Sequence, residues 1–354
     1  MKLIDRYIAK NILASTGLVT LMLAGLQLFI LFVNQLDDLG RADFGFMQVA
    51  LFVLLQMPYQ VYLFFPMASL LGCLIGLGIM ANNRELIVMR AAGLSIGQIT
   101  ISVLKVALIL IAIVTLAGEL LIPRLAHFAS GQKLQAISGG QTLNTAQGAW
   151  LRSHNDFITI SGVLPNHTLL NVYQFRFNEN HQLVLARQMA YVTLVNNQWQ
   201  AFNIKETTIN DNQTQTHEIN NMVWDVSVKP MVLNLLKSEP DEMTLHEIRQ
   251  FLAIQKRSHQ TALNYQLVYW QRIIQPLTTV VMMILAIPFI FGPLRSSPIG
   301  SKLLAGAIVG FGFHILNRFF GPISQVLQWP AVIAALGPTF LFALLGIYLM
   351  RRVR

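Results

Sequence analysis

The stretch Tyr62–Ile99, YLFFPMASLLGCLIGLGIMANNRELIVMRAAGLSIGQI, decides the fold. Its first part, FFPMASLLGCLIGLGIMA, is uncharged and, at about 1.5 Å per helical residue, makes most of a membrane crossing. It runs directly into a short amphipathic segment bearing Arg84, Glu85 and Arg90. On a helix, Glu85 and Met89 lie four apart and stack on one side, while Leu86, Ile87, Met89 and Arg90 spread over more than one face. Gly93, after Ala91-Ala92, suits a C-terminal cap. A small charged helix between two spans suits contact with a cytoplasmic motor; an ordinary solvated connection has the same composition.

Composition extends the membrane reading to the whole chain. Of 354 residues, 54% are hydrophobic and only 12% charged, and the mean hydropathy is +0.53. These are values of a polytopic membrane protein. The net charge of +9 does not form a basic stripe with interleaved aromatics, so nucleic acid is not expected as a partner. The basic residues sit beside apolar segments, as positive-inside bias requires. A single cysteine, Cys73, excludes an internal disulfide and a cysteine-based metal cluster. No cleavable signal is expected: the first apolar run is too long and no A-x-A site follows it.

Taken in order, residues 1–10 read as a short cytoplasmic interfacial helix, and Asn11–Leu36 as the first span. The acidic loop NQLDDLGRADFGF belongs outside. Phe44–Asn83 is uncharged, about 60 Å as one helix and twice the bilayer core. Two spans there would put Arg84 and Arg90 outside, so one span from about Val61 is expected, after an interfacial segment bent with help from Pro58 and Pro66. A third span covers about Thr100–Ile122, closed by Pro123. Five short β-branched and aromatic segments then follow, separated by Asn-rich turns: RSHNDFITISGV, LLNVYQFRF, QLVLARQMAYVTLV, QWQAFNIKETTI and NNMVWDVSV. Their alternation is imperfect, as in Phe157–Ile160. They predict a jelly-roll or sandwich lying outside, since an odd number of spans precedes it. Thr244-Leu-His-Glu247 is a capping box opening a linker helix. Three more spans follow: one from near Tyr269 to Gly292, a second from Leu303 to about Phe320, and a last one ending at MRRVR. The expected domains are spans one to three over 1–122 with the small helix near 83–97, a β domain and linker helix over 123–262, and spans four to six over 263–354.

Chemistry is conspicuously missing. There is no GxxxxGK[ST] loop, no HExxH and no G-x-S-x-G elbow. Glu119 reads as a lone intramembrane carboxylate near an interface. Catalytic and metal-ligating residues are therefore none, and any energy must come from a partner. Gly72-x-x-x-Gly76 reads as a helix-packing motif.

FFPMASLLGCLIGLG followed by RELIVMRAAG resembles the second membrane helix and coupling helix of the LptF/LptG permeases, which export lipopolysaccharide from the bacterial inner membrane, and is close to the G-type pattern. LIDRYIAK, QPLTTVVMMILAIPFIFGPLRS (275–296) and NRFFGPI continue the resemblance along nearly the whole chain. It implies a six-span inner-membrane permease subunit with an inserted periplasmic jelly-roll and cytoplasmic termini. It also implies an F-type homologous permease as partner, a cytoplasmic ABC ATPase dimer that binds the ATP and Mg, and a periplasmic bridge protein of related jelly-roll fold. No cofactor is implied in this chain itself.

Residue by residue, the resemblance places ATPase coupling on Arg84, Glu85, Met89, Arg90 and Gly93. Glu85 matches the acidic position of the coupling helix; a local pairing with Arg84 or Arg90 is the plain alternative. Lys133 and Arg272 match basic positions of related permeases. Arg318, about 24 Å along the fifth span, either snorkels or binds lipid A phosphates. Phe29, Phe32, Phe311, His314 and Ile315 lie on the first and fifth spans, the lateral gates of the family, with packing as their ordinary role. One departure stands out: where G-type relatives often carry lysines late in the first span and after it, this chain has Leu31, Asp37 and Asp38. Two rivals come from other classes. A non-transporting scaffold would recruit envelope proteins through the β domain, and an intramembrane lipid enzyme would need a catalytic constellation that the sequence lacks.

Overall fold

The computed structural model describes residues 3–41, 43–137, 144–153, 155–163, 168–180, 182–195, 198–210, 213–225, 240–257, 262–292 and 298–352. The chain divides into two compact units. The first holds Met1–Asp37, Ala50–Phe128 and Ala262–Arg354; the second holds Asp38–Val49 and Ala129–Thr261.

Among the described residues, six helices are long and apolar enough to cross a membrane. They begin with α1 (Leu3–Asn34) and α2 (Phe46–Asn82). A seven-residue α3 (Glu85–Ala91) separates α2 from α4 (Ile96–Leu120), which α5 (Ile122–Ile137) follows closely. After the sheet come α6 (Leu245–Arg257), α7 (Leu263–Phe291), α8 (Ile299–Val326) and α9 (Ala331–Arg351). The membrane unit packs around α2 and α7: Leu70, Leu74 and Leu77 meet Ile8 and Ile12 of α1, Val103 and Val106 of α4, and Met282 and Met283 of α7 in one buried cluster. The Gly72-x-x-x-Gly76 packing reading holds. A Cβ on Gly72 would run into the Thr16 Cα, and one on Gly76 would lie 3.0 Å from the Ile12 Cα, so the absent side chains are what let α1 and α2 touch.

Several boundaries differ from the sequence reading. Residues 3–10 are no separate interfacial helix but the first turns of α1, for no Pro or Gly interrupts them. Asp5 there is buried and accepts from Ser102 Oγ (2.6 Å) and Lys105 Nζ (2.7 Å), which ties α1 to α4. Pro58 and Pro66 do not set off an interfacial segment; α2 runs through both as one helix of 37 residues. Pro123 ends α4 but not helical structure, because it falls in the first turn of α5, where a missing N–H costs nothing. The fourth span starts at Leu263 rather than Tyr269, and the fifth extends beyond Leu303–Phe320 at both ends.

The β insertion is present, as six antiparallel strands in sequence order: β1 (Asn144–Ser153), β2 (Asp156–Val163), β3 (Leu169–Phe177), β4 (Leu183–Val195), β5 (Gln198–Asn210) and β6 (Gln213–Val223). The first expected segment straddles β1 and β2; β1 itself lacked a strand signal. All strand pairs among the described residues are between sequence neighbours, with none of a jelly-roll's crossing pairs among them. The imperfect alternation has a structural cause. Buried residues lie three apart at Leu169/Val172, Met189/Val192 and Ala201/Ile204. In β3 and β5 the residues between them, Asn171 and Asn203, adopt positive φ (46° and 50°), which shifts the inward phase by one residue; β4 makes the same step between Met189 and Val192 without one. Trp199 and Trp224 close the core edge to face (6.5 Å between centroids). The Thr244 capping box is formed: Glu247 N donates to Thr244 Oγ1 (3.2 Å) and Thr244 N to Glu247 Oε2 (2.7 Å).

Candidate functional site

The segment expected to couple to a motor forms α3. Arg84, at its N-cap, sits in the left-handed region (φ 64°) with no side-chain cap. Its other end is a Schellman turn: Gly93 N donates to Arg90 O (3.0 Å) and Leu94 N to Met89 O (3.1 Å), with Gly93 at φ +94°. The expectation that Gly93 caps this helix is thus met. Leu86 is buried in the membrane-unit core and Met89 packs half-buried beside it. Ile87 and Val88 are 53% and 66% exposed, and Arg84 and Arg90 are exposed on the same small helix. One side anchors; the other presents two aliphatics between two arginines.

Glu85 occupies the first turn, where the helix dipole favours an anion. Its Oε1 accepts a long hydrogen bond from Asn83 Nδ2 (3.3 Å). Its Oε2 is buried and has no hydrogen-bond partner among the described residues. Among the described residues neither Arg84 nor Arg90 forms an ion pair with it, and its one local partner is Asn83. A buried carboxylate oxygen without a donor is costly unless something supplies one.

The lipid candidates fall into separate places. On α8, Phe311 and Ile315 are 46% and 52% exposed, and Arg318 is exposed one turn on. Because α8 begins at Ile299, Arg318 lies roughly 28 Å along it, farther toward its outer end than the sequence reading put it. His314 stacks on Phe64 of α2 (4.3 Å, 27°), and the Arg318 charge acts on it. Beside them a shallow cleft opens, lined by Pro66, Met67, Gln271, Gln275, His314 and Asn317. A smaller one lies between α1 and α2 at Thr20, Gln27, Gln60 and Phe64. Phe29 is exposed on α1, and Phe32 is half-buried. Glu119 does not stand alone, as the sequence reading had it: it and Arg272 both act electrostatically on the Tyr62 phenol. Lys133, in the second unit, is bound to Asp38 Oδ2 (2.8 Å) and sits over the Phe44 ring (5.7 Å). The acidic residue that replaces the usual lysine thus engages a basic candidate. Among the described residues no group of His, Cys, Asp or Glu gathers to hold a metal.

With this geometry in hand, the sequence comparisons are informative. The family profile described as lipopolysaccharide export system permease LptF/LptG matches residues 6–352. The chain belongs to this family. Among curated relatives, the lipopolysaccharide export system permease protein LptG of Escherichia coli K12 is 35% identical over 352 residues, covering 99% of this chain and 98% of the relative. The Haemophilus influenzae protein of the same name is 32% identical over 353 residues, covering 99% of each. The G-type resemblance is thereby upheld over the full chain. Sequence reasoning missed two features in this permease. The Asp5–Ser102–Lys105 tie carried no local signal. The engagement of Gln275 with α2 did carry one, described below.

Proposed function

We propose that this chain is the G-type permease subunit of an ATP-driven exporter that draws lipopolysaccharide out of the bacterial inner membrane. The observation that supports this reading best is Glu85: a carboxylate oxygen buried without a donor, on a short helix whose outer side offers Ile87, Val88, Arg84 and Arg90. A donor from a separate ATPase subunit would complete it. An F-type homologue pairs with this chain to enclose the lipid, and the ATPase dimer binds ATP and Mg. Arg318 and Arg272, on the membrane unit, supply cations to the anionic headgroup, and Lys133, on the other unit, is a separate cation that must leave Asp38 to meet lipid. The β domain lies in the periplasm, with both termini cytoplasmic, and hands the lipid to a bridge protein of related fold.

The test is reconstitution of this chain with its F-type homologue and ATPase into vesicles holding lipopolysaccharide. ATP-dependent release of the lipid to added bridge protein is expected. Assembly without any ATP-dependent release would instead favour a scaffold.

A further inference from the structure

Pro66 has no N–H, so the carbonyl four residues earlier, that of Tyr62, loses its partner within α2. In a membrane that loss must be made good by a neighbour. Gln275 of α7 does so: its Nε2 donates to Tyr62 O at 2.6 Å, across 213 residues of sequence. The same turn is braced elsewhere. The Tyr62 ring packs where a Cβ on Gly118 of α4 would stand 2.8 Å away, and Ser69 Oγ donates to Pro66 O (2.8 Å). Below Pro66, α2 is almost wholly buried through Leu70, Leu74 and Leu77 and runs into α3 within three residues. Above it, Phe64 meets His314 at the cleft.

We infer that Gln275 is a positioning residue for transport: by holding the Tyr62 carbonyl freed by Pro66, it makes this point of α2 the pivot between the coupling helix α3 and the cleft at His314. This rests on the permease reading. Movement of α3 is carried by the buried lower part of α2, while the amide of Gln275 fixes the upper part against α7. Without the donor, a partly buried carbonyl is orphaned and the upper part no longer has one preferred setting.

The discriminating experiment is a double-substitution cycle in the reconstituted complex, Gln275→Leu with and without Pro66→Ala. Alanine at 66 restores an in-helix donor to the Tyr62 carbonyl, so it removes the reason for Gln275. Gln275→Leu alone is expected to lower lipid released per ATP by about tenfold, the factor that about 1.4 kcal/mol of lost carbonyl pairing represents. In the Pro66→Ala background it should change nothing relative to Pro66→Ala itself. An equal loss in both backgrounds, or no loss in either, overturns the proposal. Where Gln275→Leu fails to assemble, recovery of assembly by the double variant supports the bond, and continued failure refutes it. Thermal unfolding of the same four complexes separates this from the permease reading. If wild type releases no lipid with ATP, that reading falls, whereas the heat-stability cycle still judges whether Gln275 acts through the freed carbonyl.

Discussion

At the scale of single residues, two side chains change meaning between sequence and structure. Lys133 was legible as a basic candidate, but its partner Asp38, almost a hundred positions away, was visible only as a departure from the family pattern. A lipid phosphate that uses Lys133 must displace a carboxylate at 2.8 Å. Asp38→Asn should therefore strengthen binding of lipopolysaccharide in micelles by about two- to fivefold, the range of a partly exposed ion pair. Unchanged or weaker binding would take Lys133 off the lipid path. Asp225 was not singled out at all. Burial pushes its carboxyl up, but the hydrogen bond from Arg176 and the charge of Arg187 outweigh this and hold it below the ordinary 3.8. A carboxyl lowered on folding contributes stability above its unfolded value and loses it as pH falls through the folded one. Fluorescence of the neighbouring Trp224 should hold steady from neutral pH to about pH 4.5 and change only below the ordinary value. In Asp225→Asn that acid step should disappear.

Elements were legible to the extent that their rules are local. Gly72-x-x-x-Gly76, the Thr244 box and the Gly93 cap each act within one turn, and each was found. The prolines of α2 misled for the opposite reason. A proline breaks a helix when its freed carbonyl has nowhere to go, and here the donor comes from α7, far away in sequence. The tell-tale was available: Pro66 marks Tyr62 O as an acceptor in want of a donor, and Gln275 is an amide in an apolar helix. The strands show a second limit. Alternation fails at Asn171 and Asn203 because positive φ resets the phase, so a period-two search underrates real strands. At the α1–α2 crossing, Gly72→Ala drives a methyl against the Thr16 backbone. It should cost about 1–3 kcal/mol, read as a lowered unfolding midpoint in detergent. An unchanged midpoint would mean that the helices are not in contact there.

At the scale of the molecule, burial is distributed unevenly among the spans. In their most apolar windows α2 is 72% covered by its own chain, but α1 and α8 only 11% and 17%. Those two helices carry Phe29, Phe311 and Ile315, and their bare flanks are what a lipid path or a second permease would cover. Composition and charge placement foretold six spans and a β insertion, because bilayer thickness and strand propensity are read locally. The uneven covering was not legible, since it depends on which faces meet. The proposed lipid contacts were the least legible part for the same reason: the candidate cations Lys133, Arg272 and Arg318 lie on three distant segments.

Everything converges on whether the uncompleted carboxylate of Glu85 is the joint to a motor. The measurement that tests this most directly is lipid release from vesicles with ATP, for wild type, Glu85→Arg, and Glu85→Arg combined with an arginine-to-glutamate reversal on the ATPase surface facing α3. The expected result is near-complete loss of release and of ATPase co-purification in the single variant, with both regained in the combined one. Normal release and an intact complex with Glu85→Arg would contradict it.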